Sequence, residues 1–453
     1  MGRGERLVAI GGVAAGLSAA ARAKRVDPSL EITVIERGAG ISHASCGLPF
    51  LIAGDVRNAE TLVSSSPQQF ERERGIRVLT NHEAVEIVHS GRQLVVHDLQ
   101  VGERKRVDYD RLVLATGASP RIPFEVGEND RGVFAVRSLD DALALNAWLE
   151  SEKPSEAVVI GSGVQGLEWA DALQKRSLKV TLIERRGFVA TRCDPEIGAL
   201  VRSALQEAGV RVLTGSAVLG VETGTGGSIS SVITDAAVVP CGVAIVSCGA
   251  EPRVDLARRA GIILDRCGAI AVDETMETSV RGIFAAGDCA CVKHLVTGAP
   301  YYQPTGALAV KTGRIAGANA AGRYAAFPGA LATQAVVASD YELGMTGLNS
   351  EEAERGRLKP VAVTVRAPEK ARYLTGAGDL TVRLIADADS RRLIGAQLYG
   401  KRGVTGRLGV LAAAVASRFP LDELALLDLP YAPKASPVWD PIHIATGELL
   451  KKL

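Results

Sequence analysis

Apolar residues in this chain come in short runs that stop abruptly at glycine. Residues 7–10 form one such run, which ends in Gly11-Gly12-Val13-Ala14-Ala15-Gly16 and passes into an Ala-rich stretch carrying Arg22, Lys24 and Arg25. That order predicts a strand, a tight turn and a helix. A second run, 32–35, ends in Glu36-Arg37. The same parts recur later: 158–160, then Gly161-Ser162-Gly163-Val164-Gln165-Gly166, a helical stretch, and 180–183 ending in Glu184-Arg185. Two more apolar runs stop at Ala115-Thr116-Gly117 and at Gly287-Asp288. Beyond the 322–328 stretch the pattern changes, with strand-like runs at 361–365 and 380–385 and an Ala-rich helix at 411–417.

The glycine turns carry chemistry. Without a Cβ the backbone can approach a pyrophosphate, and the helix that follows offers unpaired N–H groups and the positive end of its dipole. Glu36 lies twenty residues past Gly16, where a carboxylate accepts from ribose hydroxyls. Val13 takes the middle glycine position of the first turn, whereas the second turn is a full G-x-G-x-x-G. Repetition of the whole strand, turn, helix, strand, acid order implies two dinucleotide sites.

Composition narrows the class. A chain of 453 residues, 47% apolar, exceeds what one core organises, so two or three domains are expected. With 52 basic against 51 acidic residues the net charge is +1, and no long basic run points to nucleic acid. Residues 1–6 lead into the first strand without a signal-type region, and the longest aliphatic run, 410–416, is too short to span a bilayer. A soluble, cytoplasmic protein is expected. The seven cysteines are scattered and odd in number, which predicts thiols rather than a disulfide framework. Cys241, Cys248, Cys267, Cys289 and Cys291 sit in apolar or glycine-rich segments as small hydrophobes, Cys193 has no evident partner, and no metal-ligand spacing appears.

With the A-T-G and G-D segments added, the chain resembles the pyridine nucleotide-disulfide oxidoreductases along essentially its whole length. The resemblance implies FAD at Gly11, Gly12, Val13, Ala14, Ala15, Gly16, Glu36, Arg37, Ala115, Thr116, Gly117, Gly287 and Asp288. It implies a nicotinamide cofactor at Gly161, Gly163, Gly166, Glu168, Glu184, Arg185 and Gly249. Glu184 favours NADH by repelling a 2′-phosphate, while Arg185 and Arg186 leave NADPH open. Val164 replaces an aromatic that often gates the nicotinamide pocket.

In Ser42-His43-Ala44-Ser45-Cys46-Gly47-Leu48-Pro49-Phe50, Cys46 falls where the family runs its active-site helix, and Leu51 stands where dithiol members carry a second cysteine. The pattern resembles the single-cysteine branch, which comprises coenzyme A-disulfide and persulfide reductases, NADH oxidases and NADH peroxidases. It implies a redox-active Cys46 whose thiolate is favoured by a helix N-terminus and by contact with the flavin. His43, on the same face if the segment is helical, either tunes that thiolate or packs. Ala14 replaces the histidine usual in the oxidases and peroxidases, which turns the reading toward sulfur substrates. Segments around Tyr373 and Tyr431 resemble the tyrosine segments of coenzyme A-disulfide reductases, implying an approach to Cys46 from a partner subunit; an ordinary packed role is the alternative. Arg22 and Arg25 either bind coenzyme A phosphates or form a solvated helix face.

The expected architecture is α/β: two Rossmann-like dinucleotide-binding domains plus a C-terminal α+β dimerisation domain. FAD takes 1–120 and 250–325, the nicotinamide cofactor 121–249, and dimerisation 330–453. The resemblance implies a homodimer that reduces a small disulfide, persulfide or polysulfide, with coenzyme A derivatives foremost. An NADH oxidase or peroxidase, or a redox-sensing flavoprotein with a protein partner, stands as the alternative.

Overall fold

A computed structural model describes residues 5–127, 130–224 and 226–453; residues 1–4, on which part of the reading of the chain's start rests, lie outside them. Five strands form the first sheet, in the spatial order Ile283–Ala285, Arg111–Leu114, Arg6–Ile10, Glu31–Ile35, Arg77–Leu79. Every pairing is parallel, and Ile10 lies beside both Ile35 and Leu114. Gly11, Glu36 and Ala115 therefore leave the sheet at one edge, the crevice in which open parallel sheets bind ligands. The strands are aliphatic because both faces are covered; Leu7, Val34 and Leu112 are wholly buried. Helices Ala14–Val26 and Gly306–Ala320 meet backbone to backbone on one face. A Cβ at Gly313 would lie 2.3 Å from the Ala15 carbonyl oxygen, and one at Gly317 2.1 Å from that of Ala19, so only glycine permits this approach.

The second unit repeats the plan in the order Arg211–Thr214, Lys179–Glu184, Glu156–Ile160, Val243–Val246, Val133–Phe134. Ile160 pairs with Ile183 and Val246, which again brings a glycine turn and an acid to one edge. A short antiparallel ribbon, Ala118–Pro120 with Ala250–Pro252, marks where the chain passes into this unit and returns. The third unit is an antiparallel sheet in the order Gln334–Ala338, Tyr341–Gly347, Arg392–Gly400, Asp379–Asp387, Pro360–Pro368. Helices Val404–Ser417 and Pro441–Leu450 pack against it. The expected α/β class, two Rossmann-like units followed by an α+β domain, is what the structure displays.

Second and third units are clamped together. Asp194, at the start of helix Pro195–Glu207, is buried and accepts from Arg383 Nε at 2.5 Å, Ser350 N at 2.9 Å and Ser350 Oγ at 2.7 Å. Arg192 pairs with Glu352 at 2.5 Å and Arg186 with Glu351 at 2.8 Å. Beside these, Leu167, Val201 and Leu205 pack on Val336, Leu343 and Tyr399. Breaking such a buried pair from one side leaves an uncompensated charge, at a cost of about 3–5 kcal/mol.

The cysteines depart from expectation in one place. Cys267 and Cys291 form a disulfide, where thiols were expected. Backbone bonds from Cys291 N to the Ile270 carbonyl and from Ile270 N to the Cys289 carbonyl, at 2.9 and 2.8 Å, lay the loop that carries Cys267 beside the segment after Asp288. No linear spacing signals that pairing. Cys193, Cys241 and Cys289 are buried thiols. No described helix is long and apolar enough to cross a membrane.

Candidate active site between two glycine turns

The first turn is held tightly. Gly11 has φ +115°, and a Cβ there would lie 2.2 Å from the Ala115 carbonyl oxygen; one at Gly16 would lie 1.9 Å from that of Gly11. Glu36 accepts from Gly12 N at 2.6 Å and from Gly38 N at 2.7 Å, so the acid at the strand end also fixes the turn. Val13, Ala14 and Ala15 carry the chain from the turn into the helix, with Val13 at its N-cap. Gly287 N donates to Thr312 Oγ1 at 3.0 Å, which sets Asp288 at the far end of the same crevice. Arg137 Nη2 donates to Asp288 Oδ2 at 2.9 Å. Burial raises the Asp288 pKa, and that guanidinium opposes the rise.

The second turn reproduces these contacts. A Cβ at Gly166 would lie 2.0 Å from the Gly161 oxygen, and Glu184 accepts from Ser162 N at 3.0 Å, Ser162 Oγ at 2.7 Å and Arg186 N at 2.8 Å. Of the two arginines after Glu184, Arg186 is engaged with Glu351, while Arg185 stays exposed. Added Cβ atoms at Gly117, Gly163 and Gly249 would meet nothing within 4 Å. Open space thus lies at Gly163 in the second turn and at Gly117 and Gly249 in the segments that follow the neighbouring strands, and the residues present fit FAD and a nicotinamide cofactor.

Cys46 lies between the two units. Among the described residues it is the one exposed thiol of the five unpaired cysteines. It sits in a single 3-10 turn, Ser45–Gly47, ahead of the six-residue helix Leu48–Ala53, not on an established helix. The long helix terminus near it belongs to Gly306–Ala320: a Cβ at Gly306 would lie 3.9 Å from Cys46 Sγ. Burial, then Glu168 from the second unit and Asp288 from the first, push the Cys46 pKa up. Two carboxylates thus oppose the helix terminus at the thiol. Burial, with Asp171 nearby, raises Glu168 itself to about 7. Replacing Glu168 by Gln removes one of these negative charges. The pH midpoint of Cys46 alkylation by iodoacetamide is expected to fall in that variant, and an unchanged midpoint would refute the coupling.

His43 does not share a helical face with Cys46. It forms a β-bridge with Val63, because the chain is not yet helical at residues 42–44, and burial lowers its pKa. The charges that bear on it are Glu36, Asp140 and Asp141, which leaves no sign of a bond to the thiol. Ser42, at φ +58°, meets the Ser64 hydroxyl and donates its N–H to the Gly12 carbonyl at 2.9 Å, tying the cysteine segment to the first turn. Tyr373 and Tyr431 are 76% and 50% exposed on the third unit and hydrogen-bond to one another. Ala371 N donates to the Pro433 carbonyl at 3.1 Å, which brings their two segments together. Lys24 is occupied with the Pro28 and Leu30 carbonyls, both at 2.8 Å, while Arg22 is half-buried and Arg25 exposed. Sequence reasoning missed Arg137, whose partner lies 151 residues away with no linear signal.

Comparison with known proteins agrees with this geometry. The family described as pyridine nucleotide-disulphide oxidoreductase matches residues 5–325, and its dimerisation domain matches residues 333–441. A relative from Pyrococcus furiosus, named NAD(P)H sulfur oxidoreductase (CoA-dependent), is 35% identical over 448 residues, 99% of each chain. One from Methanocaldococcus jannaschii, named NADH oxidase, is 31% identical over 452 residues, again 99% of each chain. The solved structure of a NAD-dependent persulfide reductase from A. fulgidus superposes with a TM-score of 0.95 at 36% identity, covering 99% of this chain and 83% of that one.

Proposed function

Because the chain belongs to the pyridine nucleotide-disulphide oxidoreductase family, we propose that it is an NAD(P)H-dependent flavoenzyme that reduces small sulfur–sulfur bonds through Cys46 alone. Coenzyme A persulfide, polysulfide and coenzyme A disulfide are the substrates proposed. The observation that carries this reading is the position of Cys46, an exposed thiol on which one carboxylate from each dinucleotide unit bears.

In this reading FAD lies along Gly11, Gly16, Glu36, Thr116, Gly117 and Asp288, and NADH along Gly161, Gly163, Gly166 and Glu184. Bound flavin supplies a two-electron relay between nicotinamide and sulfur. The residues of the chain do the rest. Cys46 thiolate attacks the outer sulfur of R–S–SH, forming Cys46–S–SH and releasing R–S⁻, which takes a proton to become R–SH. Two electrons then cleave the new sulfur–sulfur bond, returning Cys46 thiolate and HS⁻, and the proton released with them from NADH is the one that R–S⁻ takes up. The net balance is R–S–SH + NADH → R–SH + HS⁻ + NAD⁺. Glu168, poised near neutrality beside the thiol, holds or yields the proton in these steps. Glu184 disfavours a 2′-phosphate, so NADH is the proposed donor. Arg22 and Arg25 hold coenzyme A phosphates. The third unit brings a second chain, whose Tyr373 and Tyr431 face the leaving thiol in a homodimer.

The test is anaerobic NADH consumption with coenzyme A persulfide, polysulfide or coenzyme A disulfide, beside an aerobic control without sulfur substrate. Rapid turnover with a sulfur substrate upholds the reading. Turnover with oxygen alone would replace it by the NADH oxidase reading, which the Methanocaldococcus jannaschii relative favours and the absence of a histidine at Ala14 opposes.

A further inference from the structure

Three guanidinium groups stand around the first dinucleotide site. Arg37 follows Glu36 and reaches toward Glu83, at 3.8 Å. Arg137 holds Asp288 at the opposite end. Arg253 comes directly after the ribbon strand Ala250–Pro252 and is bonded to the strand-end segment of the first sheet at two points. Thr116 Oγ1 donates to the Arg253 carbonyl at 2.6 Å, and Arg253 N donates to the Gly117 carbonyl at 2.9 Å. Its Nε donates to Ser119 Oγ at 2.9 Å, and among the described residues no carboxylate forms an ion pair with it.

These contacts fix where Arg253 stands. Gly11 backs directly on to Ala115, and Thr116 and Gly117 come next in the chain, so Arg253 lies one residue layer from the glycine turn. Burial lowers its pKa, and then Arg37 and Arg137 lower it further, while Glu36 and Asp141 oppose them. Thr116 and Gly117 follow strand Arg111–Leu114, which lies in the sheet between the strand that leads to Asp288 and the strand that leads to Glu36, so Arg253 lies between the two acids. In a dinucleotide stretched from one acid to the other, the diphosphate occupies that interval. Arg37 is paired with Glu83 and Arg137 with Asp288, so among the described residues Arg253 is the one of the three without a carboxylate partner, and an anion beside it would supply one.

We propose that Arg253 holds the diphosphate of FAD over the Gly11–Gly16 turn, its planar fork paired with the phosphate oxygens. This deepens the reading that the first site takes FAD and rests on it.

The test strips flavin from the protein and titrates it back, following flavin fluorescence, in the wild type and in Arg253→Gln and Arg253→Lys. Arg253→Gln is expected to weaken FAD binding by about 10-fold to 100-fold at low salt, with the gap narrowing as ionic strength rises. Arg253→Lys keeps the charge without the fork and is expected to fall between. Riboflavin, which lacks the diphosphate, is expected to bind wild type and both variants equally, and this arm separates phosphate contact from general damage to the fold. Equal FAD affinity in wild type and Arg253→Gln overturns the proposal, as does an equal loss for riboflavin. A raised requirement for coenzyme A substrate with unchanged FAD affinity also overturns it, by moving the arginine to the substrate. Failure of the wild type itself to take up FAD would instead remove the cofactor reading on which the proposal stands.

Discussion

Cys46→Ser protein should retain its flavin and its affinity for NADH, yet reduce coenzyme A persulfide about a thousandfold more slowly than the wild type. The size of the loss follows from the absence of a substitute. Serine's hydroxyl cannot take up sulfane sulfur at neutral pH, and the other thiols are held in unreactive states. Burial pushes Cys193 and Cys241 up to about 12 and Cys248 up to about 11. A thiol at about 11 is ionised in roughly one molecule in ten thousand at pH 7, and only the thiolate attacks. Cys289 is buried within the first core. Anaerobic absorbance at the nicotinamide band checks the rate, and flavin content per chain checks the fold. Retention of more than about a tenth of the activity would mean that sulfur chemistry runs elsewhere.

A second large effect is expected at the nicotinamide turn, where two neighbouring glycines should behave differently. Gly161 has φ +101°, and a Cβ there would lie 2.4 Å from the Ser247 carbonyl oxygen. Gly161→Ala therefore strains the turn itself, costing about 1–2 kcal/mol for the backbone alone and more for the clash. Gly163 has no such constraint: an added Cβ meets nothing within 4 Å and projects into open space. Gly163→Ala should leave thermal stability within about 1 kcal/mol of wild type while weakening NADH about tenfold or more, because the methyl group stands where the pyrophosphate comes close. Isothermal titration with NADH, set beside thermal melts, separates the two cases. If Gly163→Ala binds NADH like the wild type, the turn does not hold the pyrophosphate.

The parts legible in the sequence were those whose signal is local. A run of aliphatic residues ending at glycine, followed by Ala-rich helical spacing, is complete within about thirty residues, and its repetition displayed two Rossmann-like units at once. The single cysteine and Leu51 could be read for the same reason. The Cys267–Cys291 pairing could not, because it depends on Ile270 lying beside Cys289 and Cys291. Whether His43 shares a face with Cys46 could not be read, because three residues of helical spacing carry no information on whether the helix has begun; here a 3-10 turn starts at Ser45 and the helix at Leu48. Arg137 on Asp288 and Arg253 on Thr116 join elements 151 and 137 residues apart, and one arginine among 52 basic residues announces nothing.

The clamp at Asp194 has a consequence for assembly. Asp194 sits at the head of a helix in the second unit, proposed to hold the nicotinamide cofactor, and its partners Arg383 and Ser350 belong to the unit matched to the dimerisation domain. In the proposed homodimer the surface that recruits a second chain and the surface that braces the nicotinamide unit thus share one rigid body. Any coupling between two equilibria that act on one body is reciprocal: whatever factor the second chain adds to nicotinamide affinity, the nicotinamide returns to the affinity of one chain for the other.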